Sequence, residues 1–149
     1  MTVAQITHAN ATHIEGIAAL EEKCFSLPWL AATYKRELVK SNAITLVAFA
    51  NDTVVGLLNA HFVLDECSLN RIAVSPEHRR NGIADRLIDA LVGACRVRGA
   101  QFILLDVRRS NEAAQRLYAK HGFTEVGKRP KYYQQPDEEA VLLTKNLAV

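Results

Sequence analysis

Residues 69–86 join a strand to a helix through a basic turn that contains a glycine. Residues 69–74 are rich in apolar, β-forming side chains, and Pro76 ends the strand. Beyond the turn, apolar side chains recur at helical spacing, at Ile83, Leu87, Ile88, Leu91, Val92 and Cys95. A helix start carries unpaired N–H groups and the positive end of the helix dipole, and it therefore attracts anions. The segment predicts an anion-binding turn, at which Gly82 lets a phosphate approach the backbone and Ala84 keeps the surface low.

The turn also carries a recognisable motif. Arg79-x-x-Gly82-x-Ala84 resembles the Q/R-x-x-G-x-G/A motif of the GNAT superfamily of N-acetyltransferases, which holds the pyrophosphate of acetyl-CoA. The resemblance implies acetyl-CoA as cosubstrate and a cofactor site made of Ile72, Ala73, Val74, Arg79, Arg80, Asn81, Gly82, Ile83 and Ala84. Ala84 departs from the glycine of the motif but is still small. From the residues alone, a surface helix with two solvated arginines is an alternative.

Composition and charge exclude several other classes of protein. A length of 149 residues predicts a single domain over residues 1–149, with 49% hydrophobic and 23% charged residues, as in ordinary globular proteins. The net charge of +2 gives no argument for nucleic acid. No apolar run approaches membrane-spanning length, and we expect no signal peptide. Three cysteines without a CxxC pair and five histidines without ligand spacing predict a cytoplasmic protein without a metal site.

Periodicity along the chain predicts an α+β domain with three layers, α/β/α. Strands are predicted at residues 3–8, 44–50, 54–64, 69–74, 101–107, 123–127 and 140–145. Helices are predicted at residues 14–25, after a cap by Asn10 or Thr12, and at 30–39, 83–98 and 111–120. The resemblance implies the GNAT fold, a mixed sheet of about six to seven strands flanked by about four helices. A polar loop should join the last two strands, whose open edge would allow a monomer or a weak dimer.

A second motif lies in the C-terminal half. Residues 105–118 read Leu-Asp-Val-Arg-Arg-Ser-Asn and, after six residues, Tyr118, and this pattern resembles the RimI-type branch of the superfamily. The resemblance implies that Tyr118 lies near the CoA sulfur and protonates the thiolate, and that Asn111 contacts the CoA arm. A helix cap for Asn111 and a core aromatic for Tyr118 are the alternatives. Asp106 stands where the branch has a glutamate proposed as general base. Because aspartate is one methylene shorter, it would act through water, and a structural acid is an equal alternative.

Enzymes of the RimI type acetylate the N-terminal alanine of small-subunit ribosomal protein eighteen, so the resemblance also implies an acceptor. Residues 24–29 resemble the loop between the first two helices of that branch, and the tyrosine pair resembles the one at the peptide entrance of N-terminal acetyltransferases. We therefore expect Trp29, Tyr132 and Tyr133 to bind the substrate, with core or rim packing as the alternative. The acidic residues 137–139 could also attract a basic peptide.

The chemistry needs only a weak base, because a peptide α-amine has a pKa near 7.7–8.0. The amine would attack the thioester directly, and N–H groups of a bulged region around residues 72–74 would stabilise the oxyanion. Three functions are open from the sequence. They are an N-terminal protein acetyltransferase, a GNAT enzyme that acts on a small amine, and a non-catalytic acyl-CoA-binding module.

Overall fold

The computed structural model of the protein describes residues 4–134 and 137–147. Within them, seven strands form one mixed sheet, flanked by four α-helices. The strands are β1 (Gln5–His8), β2 (Ala43–Ala50), β3 (Thr53–Val63), β4 (Glu66–Val74), β5 (Phe102–Arg108), β6 (Thr124–Tyr133) and β7 (Glu138–Asn146). The helices are α1 (Ile14–Cys24), α2 (Ala31–Leu38), α3 (Ile83–Arg98) and α4 (Glu112–Lys120). Val3, the predicted first residue of β1, lies outside the described residues.

The sheet has the strand order β1-β2-β3-β4-β5-β7-β6. Neighbouring strands are antiparallel, except for β4 and β5, which are parallel and joined by the crossover helix α3. The β4–β5 pairing covers only three residue pairs, from Glu66↔Phe102 to Ser68↔Leu104. Both strands continue, to Val74 and Arg108, without pairing further with each other. The sheet is therefore open between the C-terminal halves of its two parallel strands.

A β-bulge in β4 lies just beyond the last β4–β5 pair. Asn59 is opposite Arg71 and Ala60 is opposite Leu69, so Asn70 is the additional residue. The sequence-based placement of the bulge at residues 72–74 was wrong. Residues 72–74 pair regularly with residues 56–58 of β3, and the irregularity precedes them.

The helices lie in two layers, one on each face of the sheet, and the predicted three-layer α+β architecture is confirmed. Helices α1 and α2 bury Ile17, Leu20 and Tyr34 against the face that carries Val47 and Leu57. Helices α3 and α4 pack on the opposite face, whose larger core contains Leu87, Ile88, Leu91, Ile103, Leu105 and Tyr118. Each fully buried leucine or isoleucine contributes about 1.5–3 kcal/mol by leaving water.

Strand β6 extends six residues beyond its predicted end. The prediction of a polar loop from residue 128 was wrong, because β6 continues to Tyr133 along the edge of the sheet. An edge strand tolerates Pro130, which lacks an N–H group. Regular pairing with β7 is interrupted between Arg129 and Tyr133, where Lys131 has a φ of 53°. The predicted loop also includes residues 135–136, which lie outside the described residues.

Candidate active site

The opening between β4 and β5 exposes one backbone edge of residues 72–74. Their other edge pairs with β3, and no described strand pairs with them on the β5 side. The Val74 carbonyl accepts a hydrogen bond from Arg79 Nε at 3.1 Å, which ties the following turn to the strand. The remaining N–H and C=O groups at this edge are strong hydrogen-bonding groups that a ligand can satisfy.

The glycine turn lies at the end of β4 and begins α3. Gly82 has a φ of 76° and is the N-cap of α3, where its carbonyl accepts from the Arg86 N–H at 3.1 Å. No side chain of the described residues caps this helix start. A Cβ added to Gly82 would meet nothing within 4 Å. The space beside Gly82 and the uncapped N–H groups together fit an anion such as a pyrophosphate.

The other predicted cofactor residues take different positions in this turn. Arg80 has a left-handed φ of 67°, and the Asn81 Nδ2 donates to the His78 carbonyl at 3.3 Å, so both shape the turn. Ile83 is buried in the core, and Ala84 is half-buried on its surface. Whether these residues contact the cofactor stays a prediction.

Asp85, in the first turn of α3, pairs with basic side chains at the C-terminal end of α4. Asp85 contacts Lys120 Nζ at 2.7 Å and His121 Nε2 at 2.8 Å. Hydrogen bonds from Lys120 and His121 lower the pKa of Asp85. An unpaired carboxylate here would repel an anion at the helix start, so this pairing keeps the turn electropositive. These residues could not be predicted from the sequence, because nothing in the spacing connects position 85 with position 120.

Tyr118 lies on α4 and is only 5% exposed. Its ring packs against Phe123 at a centroid distance of 5.5 Å, and no described group hydrogen-bonds its hydroxyl. Burial, with a smaller effect from nearby Tyr133, raises the pKa of Tyr118. It is therefore protonated at neutral pH and can donate a proton. Asn111 caps α4, since its Oδ1 accepts from the Ala114 N–H at 3.1 Å, which leaves only its Nδ2 to donate to a ligand.

Asp106 and the tyrosine pair come together in the structure. Leu105 and Val107 are buried, and Asp106 between them is exposed on the other face of β5. Burial, and then the Asp106 carboxylate, raise the pKa of Tyr132 and bring that of Tyr133 to about 12. The two tyrosine rings are edge-to-face at 5.1 Å. The tyrosine pair of β6 is therefore close enough to Asp106 of β5 to interact with its carboxylate.

Trp29 packs beside β4. It follows α1, and its ring packs 5.4 Å from Tyr34 and 5.0 Å from the Arg71 guanidinium. Its backbone N–H donates to Glu21 at 2.8 Å. Glu21 and Arg71 were not predicted from the sequence. A usable signal was that Glu21 follows Ile17 by four residues on the apolar face of α1, where a buried acid needs a partner.

The acidic residues 137–139 are less available than the sequence predicted. Glu138 contacts Arg108 at 3.5 Å and accepts from Ser110, and a hydrogen bond from Ser110 lowers its pKa. Glu139 contacts Arg109 at 2.7 Å. Two of the three acids therefore have arginine partners, and their attraction for a basic peptide is correspondingly weak.

Among the described residues, no group of three or more His, Cys, Asp or Glu side chains could hold a metal ion. None of the helices described is both long and apolar enough to cross a membrane.

Comparison with known proteins relates this chain to a family. Residues 14–123 match the sequence model of the acetyltransferase (GNAT) family. The [ribosomal protein bS18]-alanine N-acetyltransferase of Haemophilus influenzae is 31% identical over 141 residues, 93% of this chain and 95% of the relative. The crystal structure of the ribosomal-protein-S18-alanine N-acetyltransferase from Escherichia coli has a TM-score of 0.89 at 26% identity, covering 98% of this chain and 95% of that one. Ard1 from Thermoplasma volcanium shares the fold, with a TM-score of 0.86 at 24% identity and 97% coverage of each chain.

Proposed function

The chain belongs to the acetyltransferase (GNAT) family, and on that premise we propose that it transfers acetyl from acetyl-CoA to the N-terminal α-amine of a protein, preferably alanine. The acceptor would be a small-subunit ribosomal protein, as the names of the relatives state for those enzymes. The observation that carries the proposal is the opening between β4 and β5 beside the Gly82 turn. We further propose a single domain over residues 1–149, acting in the cytoplasm as a monomer or weak dimer.

The cofactor site in this proposal follows the open strand edge. The pyrophosphate binds at the Gly82 turn and the start of α3, and the pantetheine arm binds along residues 72–74. Asn111 Nδ2 is available to the same arm from the start of α4. Acetyl-CoA supplies an activated thioester, whose carbonyl oxygen would accept from the N–H groups of residues 72–74 as negative charge develops there.

Side chains of the protein transfer the protons in this proposal. The neutral α-amine forms a C–N bond to the thioester carbon, and the C–S bond then breaks. Tyr118 donates its proton to the departing thiolate, for which the protonated hydroxyl of this largely buried residue is suited. Before the attack, Asp106 accepts a proton from the α-ammonium group through a water molecule, because its carboxylate is exposed beside the tyrosine pair. The proton that the new amide nitrogen loses after the attack leaves through the same water.

Acceptor choice rests on the aromatic residues and on amine basicity. Tyr132 and Tyr133 lie close to Asp106 of β5, and Trp29 packs beside Arg71 of β4. A lysine side chain has a pKa of about 10.4, so its deprotonation costs about 3 kcal/mol more than that of an α-amine. The site therefore favours an α-amine.

Two peptides test the proposal. Both carry the N-terminal sequence of ribosomal protein bS18, one with a free alanine α-amine and one with that amine blocked and a lysine available. We expect CoA release and acetylation with the first peptide only. Equal acetylation of both, or of a polyamine alone, would favour a small-amine enzyme. Binding of acetyl-CoA without turnover of any acceptor would favour a non-catalytic module.

A further inference from the structure

A buried ion pair joins α1 to β4 beside the proposed acceptor site. Glu21 is 0% exposed and lies on α1. Its carboxylate accepts from the Tyr34 hydroxyl at 2.6 Å, from the Trp29 N–H at 2.8 Å and from Arg71 Nε at 3.1 Å, and a second bond comes from Arg71 Nη2. The pair is therefore bidentate and its acid is fully hydrogen-bonded.

Arg71 contacts the segment between α1 and α2 at three points. Its guanidinium lies 3.8 Å from the Phe25 ring centroid and 5.0 Å from that of Trp29, and its Nη2 donates to the Leu27 carbonyl at 3.4 Å. Residues 25–29 thus pack around the guanidinium of Arg71. This planar cation can stack on aromatic rings with its faces and donate hydrogen bonds in its plane at the same time.

Arg71 also occupies a special position on β4. It follows the bulged residue Asn70 and precedes residues 72–74, at whose edge the proposed thioester would lie. A displacement of Arg71 therefore changes the distance between the acceptor segment and the acetyl group. Stability alone gives a weak reason for such a pair, because well-packed apolar residues of similar size often stabilise a core equally well.

We propose that Glu21 and Arg71 are positioning residues for the acceptor, and this inference rests on the proposed function. The pair holds residues 25–29 against β4 so that the Trp29 ring forms one wall of the acceptor site. Neither residue touches the reacting atoms. Their loss should weaken acceptor binding and leave acetyl-CoA binding unchanged.

The experiment compares Arg71→Met, Arg71→Lys and Glu21→Gln with the control Arg98→Met. Arg98 is a matched control, because it also stacks on an aromatic ring, Phe62 at 4.3 Å, and donates to a backbone carbonyl, that of Ser41. It lies at the C-terminal end of α3, away from the turn that begins this helix. The acceptor probe is the alanine-starting bS18 peptide.

For Arg71→Met and Glu21→Gln we expect the peptide KM to rise roughly tenfold or more, with acetyl-CoA affinity within about twofold of wild type. Trp29 is the only tryptophan of the chain, so its fluorescence reports on this segment directly and should change in these variants. Arg71→Lys keeps the positive charge but cannot form the bidentate pair with Glu21, and it should show a smaller rise in the peptide KM. Arg98→Met should leave KM and the fluorescence unchanged.

An unchanged peptide KM in folded Arg71→Met, with active wild-type enzyme, would overturn the positioning role and leave the proposed function standing. If Arg71→Met does not fold, Arg71→Lys carries the same test. Wild-type enzyme that acetylates no peptide would instead refute the proposed function. An equal loss of peptide and acetyl-CoA binding would show a general structural role and also overturn the inference.

Discussion

Asn70 donates from its Nδ2 to the Oδ1 of Asn59 at 3.1 Å, and this bond fastens the bulged residue of β4 to the neighbouring strand. The Asn59 amide in turn donates to Glu37 at 2.9 Å and to Thr45 at 3.0 Å. Glu37 is buried on α2, as Glu21 is on α1. Each helix of this layer therefore brings one buried carboxylate to β4 near the bulge. Glu37 reaches Asn70 through Asn59, and Glu21 pairs with Arg71.

The first prediction concerns the pH dependence of stability at Glu37. Burial alone would raise its pKa, but hydrogen bonds from Lys40, His61 and Asn59 outweigh this effect and lower it. A lowered folded-state pKa gives stability that is present above the unfolded value, near 4.3, and is lost as pH falls through the folded value. Glu37→Gln should cost about 1–3 kcal/mol of unfolding free energy at pH 7, and less at pH 4.

Urea unfolding at both pH values measures this difference. Glu22→Gln, an exposed acid on α1, is the control and should change stability little at either pH. A cost for Glu37→Gln that stays the same at pH 4 and pH 7 would contradict the assignment.

The second prediction tests the cofactor turn with two glycines of α3. Gly82 and Gly99 cap opposite ends of the helix with φ values of 76° and 79°, and a Cβ at either meets nothing within 4 Å. Alanine at either position should therefore cost the same backbone strain, about 1–2 kcal/mol. Calorimetric titration should find acetyl-CoA binding severely weakened in Gly82→Ala, where the Cβ meets the phosphate, and unchanged in Gly99→Ala. Equal affinities would place the pyrophosphate elsewhere.

The third prediction concerns Tyr118. Tyr118→Phe should lower kcat by roughly a hundredfold to ten-thousandfold and leave acetyl-CoA affinity near wild type. The melting temperature should change little, because no described group hydrogen-bonds the hydroxyl. Since the pKa of Tyr118 is raised, kcat of the wild type should not fall through its ionisation below about pH 10. Steady-state kinetics that give near-normal turnover would make Tyr118 a packing residue.

The fourth prediction concerns Asp106, for which Asp137, an exposed acid of the β6–β7 turn, is the matched control. Asp106→Asn should reduce kcat/KM at pH 7 by up to about a hundredfold. The loss should shrink as pH rises through about 8, because the acceptor amine is then neutral without help. A pH profile of kcat/KM for Asp106→Asn, Asp137→Asn and wild type measures this. A loss that is constant with pH would identify Asp106 as a structural acid.

Local pattern was enough for most of the secondary structure. Helical spacing of apolar residues predicted a helix over residues 83–98, and α3 has these bounds in the structure. Asn10 was a predicted cap, and its side chain accepts from the Thr12 N–H at 2.9 Å in the short 3₁₀ turn Ala11–His13 before α1. These features depend on neighbours within one turn, and the sequence displays such neighbours directly.

The sequence by itself determined the α+β architecture, the order of its elements and the glycine turn, because hydrophobic period and turn residues act over short distances. Only the tertiary structure decided the extent of β6, the bulge at Asn70, and the meeting of Asp106 with Tyr132. It also decided that Glu21 pairs with Arg71, fifty residues away. Likewise, Arg108 and Arg109 form ion pairs with Glu138 and Glu139 at the start of β7. These contacts depend on strand register and on the approach of distant segments, which single-residue preferences do not encode.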